Sequence, residues 1–158
     1  MQYIDNFLPL NIFKEIHNIV FNNSFNWNLY QGGAVEGDGD YFFGHELYND
    51  RRQLSEHFHT IVMPIIGRWK FNYLLRAKIN CQPKTKEHEQ SSFHIDRKIE
   101  HTTMLLYLNT NNGYTLFKTG EKVSSVANRC LIFDGHKEHA AVSQTDTNVR
   151  VNININIR

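Results

Sequence analysis

The stretch His94-Ile95-Asp96 holds the first residues with evident chemical use. Side chains two apart on a strand share a face, so an imidazole and a carboxylate are aimed at one point. A third ligand is available downstream. His139 opens a strand-like run, and His136, three residues earlier in the loop-like Asp134-Gly135-His136-Lys137-Glu138, is the alternative. Two imidazoles and one carboxylate on one triangular face of an octahedron leave the opposite face open, a donor set that suits Fe(II) better than thiolates do. Arg150 lies on the next strand-like run, where a guanidinium held deep in a barrel can clamp a carboxylate with two parallel hydrogen bonds. The two cysteines, Cys81 and Cys130, belong to no C-x-x-C pair, which excludes a zinc ribbon and reads as buried, reduced thiols.

The elements that must position these groups change character along the chain. Ile12, Ile16, Ile19 and Val20 recur at helical spacing, which predicts a first helix capped by Asn11 and ended by Asn22-Asn23-Ser24. Phe25 to Tyr30 alternates weakly, as a strand would. Residues 31–40, with four glycines and three acids, read as a loop and as a candidate lid. A second helix is expected over residues 50–69, with Leu54, Phe58, Ile61 and Val62 as its apolar stripe and Pro64 as a kink. Beyond residue 70 the pattern turns to short strands: residues 71–81, then, after a polar loop at 82–92, residues 93–96, 101–109, 114–118, 122–126, 129–133, 140–143 and 149–157. Helices followed by many short strands predict an α+β fold, with helices mainly in 1–70 supporting a jelly-roll barrel mainly in 71–158. In the last run, Val149, Val151, Ile153, Ile155 and Ile157 alternate with Arg150, Asn152, Asn154 and Asn156. One face is wholly apolar and the other wholly polar. In a barrel with a polar cavity, the polar face points inward and the apolar face packs under the helices.

From residue 93 to 157 the chain resembles the Fe(II)/2-oxoglutarate-dependent dioxygenases, most closely their prolyl 4-hydroxylase-like branch. The resemblance rests on an ordered set: His94-Ile95-Asp96, Tyr107-Leu108-Asn109, Gly113-Tyr114-Thr115-Leu116-Phe117, His139 and Arg150. It implies a double-stranded β-helix and assigns Fe(II) to His94, Asp96 and His139, the spacing of His139 to Arg150 favouring it over His136. It also implies 2-oxoglutarate and O2 as cosubstrates, with Arg150 on the distal carboxylate of 2-oxoglutarate and the Tyr107 hydroxyl supporting that carboxylate. Gln82 stands where some relatives place a tyrosine that reaches the other end of 2-oxoglutarate, and it can still donate a hydrogen bond. The double glycine that precedes the threonine in the family is reduced here to Asn112-Gly113-Tyr114. His101 is expected as a neighbour of the site or a surface residue.

The 158 residues argue for one domain that can bury a core unaided. Seventeen Lys and Arg against sixteen Asp and Glu give a net charge of +1, with no general pull toward nucleic acid or an anionic membrane. No basic, apolar leader and no long apolar run is seen, so a soluble cytoplasmic protein is expected. The primary substrate, a peptide or a small metabolite, is not specified by these motifs. Specificity is expected from the loops at 31–40 and 82–92. A cupin-like metal-binding barrel and a non-enzymatic β-sandwich binding module are the rival readings.

Overall fold

The computed structural model describes residues 1–31, 41–67 and 69–158. The expected lid at 32–40 lies outside the described residues. The elements run β1 (Gln2–Ile4), α1 (Leu10–Val20), β2 (Asn28–Gln31), β3 (Tyr41–Asn49), β4 (Arg52–Gln53), α2 (Phe58–Ile66), β5 (Leu74–Pro83), β6 (Thr102–Tyr107), β7 (Tyr114–Phe117), β8 (Lys122–Ser124), β9 (Cys130–Asp134), β10 (His139–Val142) and β11 (Val149–Ile157). The large sheet is ordered β1-β9-β6-β11-β5-β3-β2, with β4 paired to β3. The small sheet is ordered β10-β7-β8. The strand pairs are antiparallel. This is the double-stranded β-helix that the motifs imply.

Period-two alternation on four adjacent strands explains how the two sheets and the helices share the chain. Val151, Ile153, Ile155 and Ile157 of β11, Ala77, Ile79 and Cys81 of β5, Met104 and Leu106 of β6, and Cys130 and Ile132 of β9 join one apolar cluster with Phe13, Ile16 and Val20 of α1 and Ile61, Val62 and Ile65 of α2. A second cluster, Leu105, Tyr107, Phe117, Val123, Leu131 and Phe133, fills one end of the space between the sheets. The other strand positions that face inward are polar, and they build the cavity described below.

Several elements differ from the sequence-based expectation. α1 begins at Leu10 after Pro9, whose side chain cannot accept a capping hydrogen bond, so Asn11 is inside the helix and not its cap. The second helix is confined to Phe58–Ile66. Asp50 and Arg51 take positive φ angles of 44° and 68°, turning the chain from β3 into β4, and Leu54 is half exposed. Strand β3 was not expected at all, because Phe42, Phe43, Gly44 and His45 follow a glycine-rich stretch with no clean alternation. The N-terminal part therefore supplies strands to the large sheet as well as helices. Residues 93–96 form no strand; His94 makes one isolated bridge to His139.

Both cysteines are free and buried, and burial pushes the thiols of Cys81 and Cys130 up to about 11 and about 12. Asn128 fastens the start of α1 to the sheet. Its side-chain amide donates to Leu8 O at 2.8 Å, and its carbonyl oxygen accepts from Leu8 N at 2.9 Å. It also holds a positive φ of 62°, which asparagine tolerates better than most residues. Asn128→Ala is expected to lose about 2–4 kcal/mol in urea unfolding, from two buried groups left unpaired plus the left-handed backbone. Asn128→Gly, which relieves only the backbone, should recover about 1 kcal/mol of that loss.

Candidate metal centre

His94 and His139 are set side by side by a reciprocal pair of backbone hydrogen bonds: His94 N donates to His139 O and His139 N donates to His94 O, each at 3.0 Å. Residues that exchange both bonds project their side chains to the same face, and the two rings lie 4.6 Å apart between centroids. Each Nδ1 meets a backbone carbonyl, Ser92 O at 3.1 Å for His94 and Lys137 O at 3.0 Å for His139. A carbonyl only accepts, so Nδ1 carries the proton in both rings and the Nε2 lone pairs are free for a metal. Burial lowers the His139 pKa despite the nearby Asp96, which favours the neutral, ligating form. His136 stands apart, half exposed beside Asp134 at 3.6 Å, and is not in the cluster.

Asp96 completes the group: one donor atom each from His94, Asp96 and His139 lies within 4.8 Å of the others. Two imidazoles and a carboxylate at this spacing fit a first-row divalent ion. The carboxylate is buried and densely hydrogen bonded. Arg76 NH2 donates to Oδ1 at 2.9 Å, Asn154 Nδ2 donates to both oxygens at 3.1 Å, and Thr103 Oγ1 and Asn156 Nδ2 each donate to Oδ2 at 3.1 Å. Burial alone would raise the Asp96 pKa. Arg76, His139 and the Asn154 hydrogen bond outweigh it and hold the carboxyl at about 2. Arg76 Nε itself is buried without an acceptor among the described residues.

Beside the cluster is a cavity of about 460 Å³. Its floor is the polar face of β5 and β11, whose residues pair across the strands as Gln82 with Arg150, Asn80 with Asn152, Lys78 with Asn154 and Arg76 with Asn156. Lys84, Glu89 and Ser91 of the 82–92 loop line it as well. Arg150 is 1% exposed. Its Nε donates to Ser125 Oγ at 2.7 Å, NH1 to Gln82 Oε1 at 2.7 Å and NH2 to Thr115 Oγ1 at 3.2 Å. All three acceptors are neutral, so the buried cation has no carboxylate partner among the described residues. Burial lowers its pKa from the ordinary arginine value. Gly113 makes room for it: a Cβ there would stand 2.9 Å from Arg150 Cδ. The Tyr107 hydroxyl shares a 2.7 Å hydrogen bond with Thr115 Oγ1 and so braces the partner of Arg150 from behind. His101 is buried with its ring against Gly135 and away from the metal cluster.

Sequence reasoning missed Arg76 and Lys78. The signal was present, because Arg76, Lys78, Asn80 and Gln82 alternate with Ala77, Ile79 and Cys81 as regularly as the polar and apolar residues of β11 do.

No protein-family model and no curated protein sequence matches the chain. Solved structures do. A prolyl hydroxylase from Trichoplax adhaerens, in complex with a hypoxia inducible factor oxygen degradation domain peptide fragment, superposes with a TM-score of 0.72 at 18% identity, covering 99% of this chain and 82% of that one. A prolyl-4-hydroxylase from Pseudomonas putida gives 0.67 at 12% identity over 99% and 91% of the two chains. The non-heme alpha ketoglutarate dependent epimerase SnoN from nogalamycin biosynthesis gives 0.66 at 10% over 98% and 76%. The chain therefore has the double-stranded β-helix fold of the Fe(II)/2-oxoglutarate oxygenases, and among these structures the prolyl hydroxylase from Trichoplax adhaerens is more similar than the epimerase.

The environment of Asp96 makes metal-free stability sensitive to acid. Its folded pKa of about 2 lies below the ordinary 3.8, so its contribution is complete above about pH 4 and lost as pH falls toward 2. Urea midpoints of the metal-free protein should drop across this window, and Asp96→Asn should remove that part of the slope.

Proposed function

We propose that this chain is an Fe(II)- and 2-oxoglutarate-dependent dioxygenase, a single domain over residues 1–158, that hydroxylates a C–H bond of a peptide or small metabolite. A prolyl or other amino-acid residue is the starting expectation for that substrate. The observation that carries the reading is the pairing, across one cavity, of a His94–Asp96–His139 cluster with a buried Arg150 that has no carboxylate partner among the described residues. Metal-binding barrels in general account for the first; a dicarboxylate with one end on the metal accounts for both.

His94, Asp96 and His139 would hold the iron. Bound Fe(II) supplies the oxidising chemistry, with 2-oxoglutarate and O2 consumed and succinate and CO2 released. The remaining work belongs to the chain. Arg150 presents parallel N–H donors to the distal carboxylate of 2-oxoglutarate, and Gln82, Ser125 and Thr115 hold that guanidinium in place before anything binds. Tyr107 fixes Thr115. Gln82 lines the cavity and accepts a hydrogen bond from Arg150, so it stands at the Arg150 end of the proposed cosubstrate site, whereas the sequence reading expected it at the other end. Asn154, Asn156, Thr103 and Arg76 keep Asp96 ionised and oriented. The apolar cluster around Phe117 and Phe133 closes the end of the barrel behind His139 and keeps water from that side. No helix among the described residues is long and apolar enough to cross a membrane. Two free thiols and a ferrous site fit a reducing compartment, so we assign the protein to the cytoplasm.

Anaerobic titration of the Fe(II) protein with 2-oxoglutarate should give the visible charge-transfer band of a chelated keto acid, which a cupin-like barrel without the cosubstrate site would not show. Asp96→Ala should abolish iron binding and succinate release; succinate at the wild-type rate from this variant would overturn the assignment. Arg150→Ala should keep iron while weakening 2-oxoglutarate about 100-fold, as expected for truncating one partner of a buried charge pair.

A further inference from the structure

Lys78 is a buried cation on the cavity floor that the reading above does not use. It is 9% exposed, and its Nζ lies 3.5 Å from the centroid of Tyr30 and 4.6 Å from that of Phe42. The two rings are themselves stacked at 5.1 Å. Gly44 gives the lysine its path: a Cβ there would stand 2.7 Å from Lys78 Cε and 2.8 Å from Tyr30 Cε2. No acceptor among the described residues is hydrogen bonded to Nζ. Glu46 sits opposite Lys78 in strand register yet forms no ion pair with it.

The charges in the cavity point the same way. With Asp96 committed to a divalent ion, and Arg150 and that ion offset by a dianionic cosubstrate, Arg76 and Lys78 remain. Among the described residues, counting Glu46 against one of them leaves one positive charge, and Lys84 and Glu89 of the cavity wall cancel. The aromatic faces occupy only one side of the ammonium, and its three N–H donors leave capacity for an acceptor in the cavity that Lys78, Tyr30, Phe42 and Tyr41 line together. Burial, with Arg76 adding to it and Glu46 and Asp96 opposing, lowers the Lys78 pKa to about 8, so an incoming anion would find a poorly solvated ammonium.

We propose that Lys78, seated on Tyr30 and Phe42, binds an anionic group of the primary substrate, a carboxylate or a phosphate, so that the substrate oxidised at this site is an acid. The proposal rests on the oxygenase reading and names the substrate class for it.

The test uses the full chain loaded with Zn(II) and 2-oxoglutarate, which keeps the site diamagnetic and the Arg150 subsite filled. Propionate, inorganic phosphate and the neutral control propionamide are titrated while the Tyr30 and Phe42 ring signals are followed by NMR. Propionate, phosphate or both should shift these signals, propionamide should not, and Lys78→Met should weaken the effective anion at least tenfold. Propionate alone identifies a carboxylate substrate, phosphate alone a phosphorylated one. Lys78→Arg, which keeps the charge, should bind within a few-fold of the parent and serves if the methionine variant fails to fold. Failure of both anions, an equal response to propionamide, or unchanged affinity in Lys78→Met would overturn the proposal. Binding of 2-oxoglutarate to the Zn(II) protein is read separately: its failure sinks the oxygenase reading, while the ring signals still report on Lys78.

Discussion

The structure depends on keeping one carboxylate charged out of water. Asp96 has a side chain only 5% exposed, and an isolated carboxylate so buried would take up a proton. It stays ionised because donors reach it from three strands: Arg76 from β5, Thr103 from β6, and Asn154 and Asn156 from β11. Each of those strands is fixed from its other face. Ala77 and Ile79, Met104 and Leu106, and Ile153 and Ile155 are packed into the cluster that includes α1 and α2. A helix that never approaches the site thus determines the position of its donors, because a one-residue slip of any strand would exchange its polar and apolar faces.

The same logic separates the two arginines at the cavity. Arg150 is oriented by three neutral acceptors, so it meets a carboxylate with its geometry already formed and its charge unspent. Arg76 is the opposite case: its charge is already engaged with Asp96. A divalent ion bound in the proposed site would compete with that guanidinium for the carboxylate, so the network that keeps Asp96 ionised would also oppose metal capture. Its remaining advantage is orientation, since the Asn154 and Asn156 amides are neutral and can stay in place as the metal takes over the role of Arg76.

How much of this was legible in the sequence follows from which signals are local. The alternation of β11 over nine residues displays both faces of a strand at once, and the inward reading of Arg150, Asn152, Asn154 and Asn156 follows from it. The same alternation in β5 was legible but sits behind Leu74 and Leu75, which make the run look like an ordinary apolar strand. His94 and Asp96 were expected to converge through strand geometry, whereas a single bridge to His139 orients one and a hydrogen-bond network orients the other; the proximity agrees with expectation for a different local reason. The end of β3 at Asp50 and Arg51 was not legible, because positive φ at an arginine is imposed by the two-residue turn that pairs β3 with β4 and not by its own preference. The free-standing character of Arg150 was equally hidden: no sequence pattern announces the absence of a counter-charge.

At 10–18% identity, the similarity to solved structures is a similarity of fold and does not extend to particular cavity side chains. In the proposed reading, a metal with a preferred coordination geometry would restrict the side chains at 94, 96 and 139 to a few types at nearly fixed distances. Position 76 is tied to that set by the ion pair of Arg76 with Asp96, whereas nothing of that kind restricts position 78. A side chain at 78 need only fit over Gly44 and beside Tyr30 to leave the sheet intact. A lysine there carries a desolvation cost that an apolar side chain of the same length would avoid, and no carboxylate among the described residues is ion-paired with it. An anion entering the cavity beside the candidate metal centre would supply that compensation, which is why the substrate is proposed to be an acid.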